Sequence, residues 1–246
     1  MSEMAKTPES HEGRVGAVVS TLRPKRPGRI ELNGKIVLLA PVDPVAHGDA
    51  LWEGTRGHDE LWTYMAHGPF SERTAFESHM QWMAASEDPF FYAIVDKASG
   101  FAAGCASYLR IELIHRVIEV GNIVYSPKLQ RTAGATEAMY LMMRHAFEEL
   151  GYRRYEWKCD SKNMPSRRAA LRLGFQFEGI FRQHMIIKGL NRDTAWFSIV
   201  DTEWPARKAA LEAWLSPENF DADGRQKVSL SAMNGSRFDS KREEAS

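Results

Sequence analysis

Apolar residues in this chain repeat with two different periods, and the switches between them mark the elements. Short apolar or β-branched runs predict strands at Lys35 to Asp43 (KIVLLAPVD), Phe90 to Asp96 (FFYAIVD), Phe101 to Ile111 and Arg116 to Tyr125 (RVIEVGNIVY). Two more follow: Tyr152 to Asp160 (YRRYEWKCD), then a long stretch from Phe175 to Asp201 that folds back at KGLN. Helical spacing lies between them. Asp43 to Thr55 (DPVAHGDALWEGT) reads as a helix, and Phe76, Met80 and Met83 recur at i, i+4 and i+7 behind Ser71 as N-cap. Ala135, Ala138, Met139, Met142, Met143 and Ala146 form a wide apolar stripe that Gly151 terminates. Asn163 caps a short helix with Pro165 in its first turn and Gly174 at its end. A last helix, WPARKAALEAWL, presents Trp204, Ala209, Leu211 and Trp214. It covers one end of the sheet or meets a second subunit in a homodimer.

Strands and helices are interleaved, yet several neighbouring strands are joined by tight turns. The fold class this predicts is mixed α/β, with helices on the faces of a mixed sheet rather than a doubly wound parallel one. The expected organisation is a flexible basic leader at 1–29, a domain at 30–202, and a helix with a flexible tail at 203–246. The basic run RPKRPGR (Arg23 to Arg29) reads as a solvated arm, because formal net charge is zero and no long-range field favours nucleic acid or an anionic membrane. No apolar run reaches the roughly 18 residues that span a bilayer, and the first residues lack a signal-peptide core. Cys105 and Cys159 fall in strand-like runs, as buried thiols of a reducing compartment do. A cytoplasmic protein is expected.

The chemistry concentrates between the strand ending at Tyr125 and the helix that follows. Gln130, Arg131, Thr132, Ala133, Gly134, Ala135 and Thr136 lead into a helix N-terminus, where free amides and the peptide dipole favour an anion such as pyrophosphate. Arg131 adds charge, Gly134 allows close backbone approach, and the threonines add hydroxyls. Thr132 is equally a good helix cap. Neither G-x-x-x-x-G-K-[ST] nor G-x-G-x-x-G is present. The eight histidines have no pair three or four apart, so no metal is expected.

Two segments, IVYSPKLQRTAGATEAMYLMM and NMPSRRAALRLGFQFEG, resemble the GNAT superfamily of N-acetyltransferases, and within it the RimJ/RimL-like branch that contains ribosomal-protein N-terminal acetyltransferases. Arg131 and Gly134 fit the family's loop pattern Q/R-x-x-G-x-G/A, and Thr136 departs from its last position. Asn163, Ser166, Leu173, Gly174, Phe175, Glu178 and Gly179 match N-x-x-S…LGF-x-x-EG.

The resemblance implies a mostly antiparallel sheet in which two adjacent parallel strands splay apart. Acetyl-CoA lies in that gap, with its pantetheine arm along Asn122, Ile123 and Val124 and its pyrophosphate on residues 130–136. It implies direct attack of an amine on the thioester, with the acceptor a small molecule or a protein N-terminus. A CoA-binding regulatory module without turnover is the alternative.

Direct attack calls for a general base. Strand alternation puts Glu119, Gly121 and Ile123 on one face, and Glu119 is the candidate base, acting directly or through water. Ser166 stands at the branch's position for the proton donor to sulfur. Asn163 stands where the arm or an ordered water is contacted, and Tyr125 is a weaker acid candidate. Trp62, Tyr64 and Phe70 are the expected acceptor contacts. The hairpin near Arg110, Glu112, His115 and Arg116 reads as solvated turn charges or as a further acceptor contact, and Arg192 and Asp193 read as a hairpin turn with a local ion pair.

Overall fold

The structure is a computed structural model, and it describes residues 15–235. The expectations for the leader before residue 15 and the tail after 235 lie outside the described residues. Eight strands form one sheet: β1 (Leu32–Asn33), β2 (Val37–Pro41), β3 (Phe90–Asp96), β4 (Ala102–Glu112), β5 (Val117–Tyr125), β6 (Arg154–Asp160), β7 (Gln176–Ile187) and β8 (Leu190–Val200). Their order is β1-β2-β3-β4-β5-β6-β8-β7. Every adjacent pair is antiparallel except β5 and β6. That parallel pair requires a crossover, and α3 (Ala133–Arg144) with its π-helical extension His145–Leu150 supplies it.

The sheet faces are covered unequally. One face packs on α3, α4 (Met164–Leu173) and α5 (Trp204–Leu215) through Tyr108, Ile118, Val120, Met139, Met142, Tyr155, Phe197 and Leu211. The other carries α1 (Pro44–Thr55) and α2 (Arg73–Ala85), packed through Leu51, Trp52, Phe76, Met80 and Met83 onto Phe91, Ala93, Cys105 and Val124. These helices pack on β3, β4 and, through Val124, the end of β5, and the same face of β6 to β8 carries Glu156, Lys158, Arg192, Trp196 and Phe181. A short helix, α6 (Leu230–Met233), closes against α4 and α5. No helix among the described residues is long and apolar enough to cross a membrane.

Most predicted elements appear, with local differences. α2 begins after Glu72, whose side chain makes no capping bond, so Ser71 is not the cap. The buried set of α5 is Trp204, Ala210, Leu211 and Trp214; Ala209 faces outward. Asn163 caps α4 by accepting from the Ser166 amide at 3.1 Å, and Gly151 and Gly174 terminate their helices in the left-handed region. Part of the basic run is tethered. The Lys25 amide donates to the Leu150 carbonyl at 2.9 Å, and Arg29 donates to the Ala84 carbonyl.

α3 is fixed to the sheet edge by one buried carboxylate. Glu137 accepts from the amides of Lys35, Ile36 and Val37 at 2.8, 2.7 and 2.8 Å. Gly34 is needed beside it, because a Cβ there would lie 2.5 Å from Glu137 Oε2 and 2.8 Å from the Val37 carbonyl. Glu137→Ala leaves this set of amides unpaired. Its expected cost is on the order of 3 kcal/mol, read from urea unfolding; a loss below about 1 kcal/mol would show that the clamp contributes little.

Candidate active site

The parallel pairing of β5 and β6 runs from Val117↔Arg154 to Val120↔Trp157 and stops there. Beyond it β6 continues against β8 to Asp160, and β5 continues against β4 to Tyr125, so a gap opens between them. The register of β4 against β5 shifts between Ser107↔Gly121 and Cys105↔Val124, which makes a bulge at Asn122 (φ 50°). Asn122 Nδ2 donates to Ser107 Oγ at 2.9 Å, and that hydroxyl donates to the Gly121 carbonyl at 3.2 Å.

The bulge corrects one expectation. Glu119 and Gly121 share a face, but the extra residue reverses the alternation: Ile123 packs with the α3 side and Val124 with the α1 and α2 side. Among the described residues, the backbone of Asn122, Ile123 and Val124 has no strand partner on the β6 side.

β5 leads into the loop at 126–132. The Leu129 and Gln130 amides bond the Ser126 carbonyl, and Gln130 Nε2 donates to the Tyr125 carbonyl at 3.1 Å. Thr132 caps α3 by accepting from the Ala135 amide at 3.1 Å. The amides of Arg131, Ala133 and Gly134 are left with no acceptor among the described residues. Arg131 is exposed and held at φ 60°, a conformation that is uncommon for a residue with a Cβ.

Two loop residues serve a different end from the one their types imply. Gly134 is buried against β2, where a Cβ would meet Val37 Cγ1 at 3.0 Å. Thr136 is also buried, and its hydroxyl accepts from Arg172 Nη1 at 3.0 Å.

The remaining catalytic candidates flank the start of the gap from opposite sides of the sheet. On the α4 side, Ser166 Oγ accepts from Trp157 Nε1 at 2.9 Å, and Trp157 pairs with the last bonded residue of β5. On the other side Glu119 is 4% exposed. Lys158 Nζ lies 3.0 Å from Glu119 Oε2 and 2.7 Å from Glu156 Oε2, and Arg110 Nε lies 3.5 Å from Glu119 Oε2. Burial raises the Glu119 carboxyl above its ordinary 4.5, against the opposing pull of Lys158 and then Arg110. Glu178 contrasts with it. Arg154 at 2.5 Å and Ser198 Oγ at 2.5 Å bind its carboxylate, and the Arg154 bond lowers its pKa, so it is a weaker proton acceptor. Burial raises the Tyr125 phenol well above its ordinary value, which leaves it a poor proton donor.

The predicted acceptor contacts separate by role. Trp62 is buried, with Phe70 edge-on at 5.1 Å and His79 at 6.4 Å. His79 is lowered to about 4 by burial and by His67. Tyr64 is exposed, and its hydroxyl donates to the Lys162 carbonyl at 3.2 Å; Lys188 Nζ donates to the Trp62 carbonyl at 2.9 Å. The 59–70 segment is thereby tied to the β6–α4 loop and to the β7–β8 hairpin, across the open face.

Sequence reasoning missed Lys158 and Trp157, which read only as strand residues. Period-two alternation in YRRYEWKCD carries part of the signal, since it puts Glu156 and Lys158 on one face. Arg192 and Asp193 do not form the expected pair. They alternate across β8, and Asp193 accepts from the Gln183 amide and from Asn191 Nδ2.

Comparison with known proteins agrees with this geometry. Residues 37–176 match the family model described as an acetyltransferase (GNAT) domain. A GCN5-related N-acetyltransferase from Brucella melitensis superposes with a TM-score of 0.85 at 46% identity, over 87% of this chain and 98% of that one. The chain belongs to the GNAT acetyltransferase family.

Two curated GNAT relatives come from Bacillus subtilis (strain 168). The uncharacterized N-acetyltransferase YoaA is 35% identical over 86 residues, which is 35% of this chain and 48% of that protein. The putative ribosomal N-acetyltransferase YdaF is 27% identical over 109 residues, which is 44% of this chain and 59% of that protein. The chain thus spans about half the length of the curated relatives it matches.

Proposed function

We propose that this GNAT protein moves the acetyl group of acetyl-CoA to a primary amine by direct attack. One observation carries the reading: the gap between β5 and β6 runs toward three amides without acceptors at the N-terminus of α3. The donor set suits the cosubstrate. Free amides, a helix dipole and the Arg131 guanidinium match a pyrophosphate, and the open edge of Asn122, Ile123 and Val124 matches an amide-bearing arm. Bound acetyl-CoA supplies an acyl group already activated as a thioester.

The chain's own residues handle the protons. Glu119 takes one from the attacking amine, directly or through a water, as the N–C bond forms. Ser166 gives one to the departing sulfur as the C–S bond breaks, and solvent restores both groups. Asn163 Oδ1 is used in capping, while its Nδ2 has no acceptor among the described residues and is available to the arm.

The amine arrives on the face that α1 and α2 share with Glu119, bordered by Trp62, Tyr64 and Phe70. A protein N-terminus is one candidate acceptor, in keeping with the naming of YdaF as a putative ribosomal N-acetyltransferase and with a RimJ/RimL-like assignment, and a small amine is the other. A cytoplasmic setting suits the two free, buried cysteines.

Arg131→Glu tests the cosubstrate site. The expected result is a rise of about tenfold or more in the acetyl-CoA Kd by calorimetry, from one reversed charge at the anion. Unchanged affinity would remove the loop from the site.

A further inference from the structure

On the open face of the sheet, basic side chains gather around Glu119. Arg110 and Lys158 touch its carboxylate. Arg192 Nε donates to Thr194 Oγ1 at 3.2 Å, and His184 Nδ1 lies 3.0 Å from the same hydroxyl. Lys158 Nζ sits 3.8 Å over the Trp196 ring, which lies tilted against Phe181 with the ring centres 4.5 Å apart. The β7–β8 hairpin brings these groups to β4: Met185 pairs with Arg192 across the strands, and its sulfur accepts from Arg110 Nη2 at 3.9 Å.

The nearby acids are already engaged. Glu119 is shared by Arg110 and Lys158, Glu156 by Lys158 and Arg154, and Glu178 is bound by Arg154 and Ser198. Asp160 Oδ1 accepts from the Lys162 amide. No carboxylate among the described residues lies within 4 Å of Arg192, and its two terminal nitrogens have no acceptor among them. Trp196 Nε1 is a buried donor without a partner among the described residues. Burial lowers the pKa of Arg192 against the opposing pull of Cys159, Asp160 and Glu119, while burial and then Arg110, Arg192 and Lys158 lower that of His184, whose charged neighbours are cations.

We infer that the acceptor amine carries a negatively charged group, a carboxylate or a phosphate, which Arg192 and Arg110 hold while the amine faces Glu119. This rests on the acetyl-transfer reading. A guanidinium with both terminal nitrogens open presents a planar fork that matches two oxygens of such an anion. An amine without the anion leaves that fork unsatisfied and is the poorer acceptor.

The test compares matched acceptors by thiol release: glycine, β-alanine and 4-aminobutyrate against their amides, and phosphoethanolamine against ethanolamine. The expected result is a kcat/KM higher by about tenfold or more for the anionic member of at least one pair, which also tells carboxylate from phosphate. Arg192→Gln is expected to collapse that ratio by raising KM for the anion alone, and Arg192→Lys to recover part of it. Amides or ethanolamine accepted as well as the anions by the wild type, or a ratio insensitive to Arg192→Gln, overturns the inference.

A second readout is independent of turnover. With CoA present, N-acetylglycine and N-acetyl-β-alanine are expected to raise the Tm where their amides do not, and Arg192→Gln is expected to abolish this. Stabilisation that ignores the negative charge overturns the inference whether or not acetyl transfer occurs, whereas acetyl-CoA that binds without ever being turned over overturns the transfer reading alone.

Discussion

Glu119→Gln is expected to lower kcat by about 10²- to 10⁴-fold, the range of a positioned general base. Acetyl-CoA affinity is expected to stay near the wild-type value, because the loop at 130–136 is untouched. Folding is expected to be retained as well, since Lys158 keeps Glu156 at 2.7 Å. The pH profile adds a sign. A base works when deprotonated, so wild-type kcat/KM falls as pH drops through the Glu119 pKa, which burial sets above the ordinary 4.5. The glutamine variant is expected to lose that limb. A variant with wild-type kcat, or with the same acidic limb, would remove Glu119 from the chemistry.

Lys158→Met is the second large effect. This ammonium is 4% exposed and bridges two carboxylates, Glu119 at 3.0 Å and Glu156 at 2.7 Å. Removing one partner of a buried ionic cluster costs about 3–5 kcal/mol. Lys158 also exerts the largest downward pull on the Glu119 pKa, and Glu156 pushes upward. Without Lys158 the carboxyl titrates still higher. A carboxyl whose folded pKa is raised contributes stability below its unfolded pKa and loses it as pH rises through the folded value. The variant is therefore expected to be most impaired above the new pKa, and its acidic limb in kcat/KM to move to higher pH. Urea unfolding across pH and a pH–rate series check both. A loss under about 1 kcal/mol, or an unmoved limb, would contradict the network.

Much of this was legible in the sequence because local rules agreed with the final fold. Asn163, Pro165 and Gly174 bound α4 as cap, first-turn and terminator, and the apolar stripe of α3 is the face that it buries. The loop at 130–136 was legible as a strand-to-helix junction. What stayed hidden depends on register and on long-range contacts. The bulge at Asn122 reverses the facing of Ile123, and no local signal in VGNIVY specifies it. The missing side chain of Gly134 and the hydroxyl of Thr136 looked like provisions for a ligand, yet each is enforced by a neighbour distant in sequence, Val37 in one case and Arg172 in the other, and it is the Gly134 amide that stays open. The setting of Lys158 becomes visible only when β6 lies beside β5, because Glu119 is 39 residues away in the chain (158 − 119). Arg110 and Arg192 resembled turn charges until the β7–β8 hairpin brought them to the same surface.

The most direct test of the central claim follows the backbone amides of 15N-labelled protein during titration with CoA. The largest shifts are expected at Arg131, Ala133 and Gly134, with smaller ones along Asn122 to Val124. Saturation with CoA that leaves those three amides unmoved, or perturbs a different surface, would contradict it.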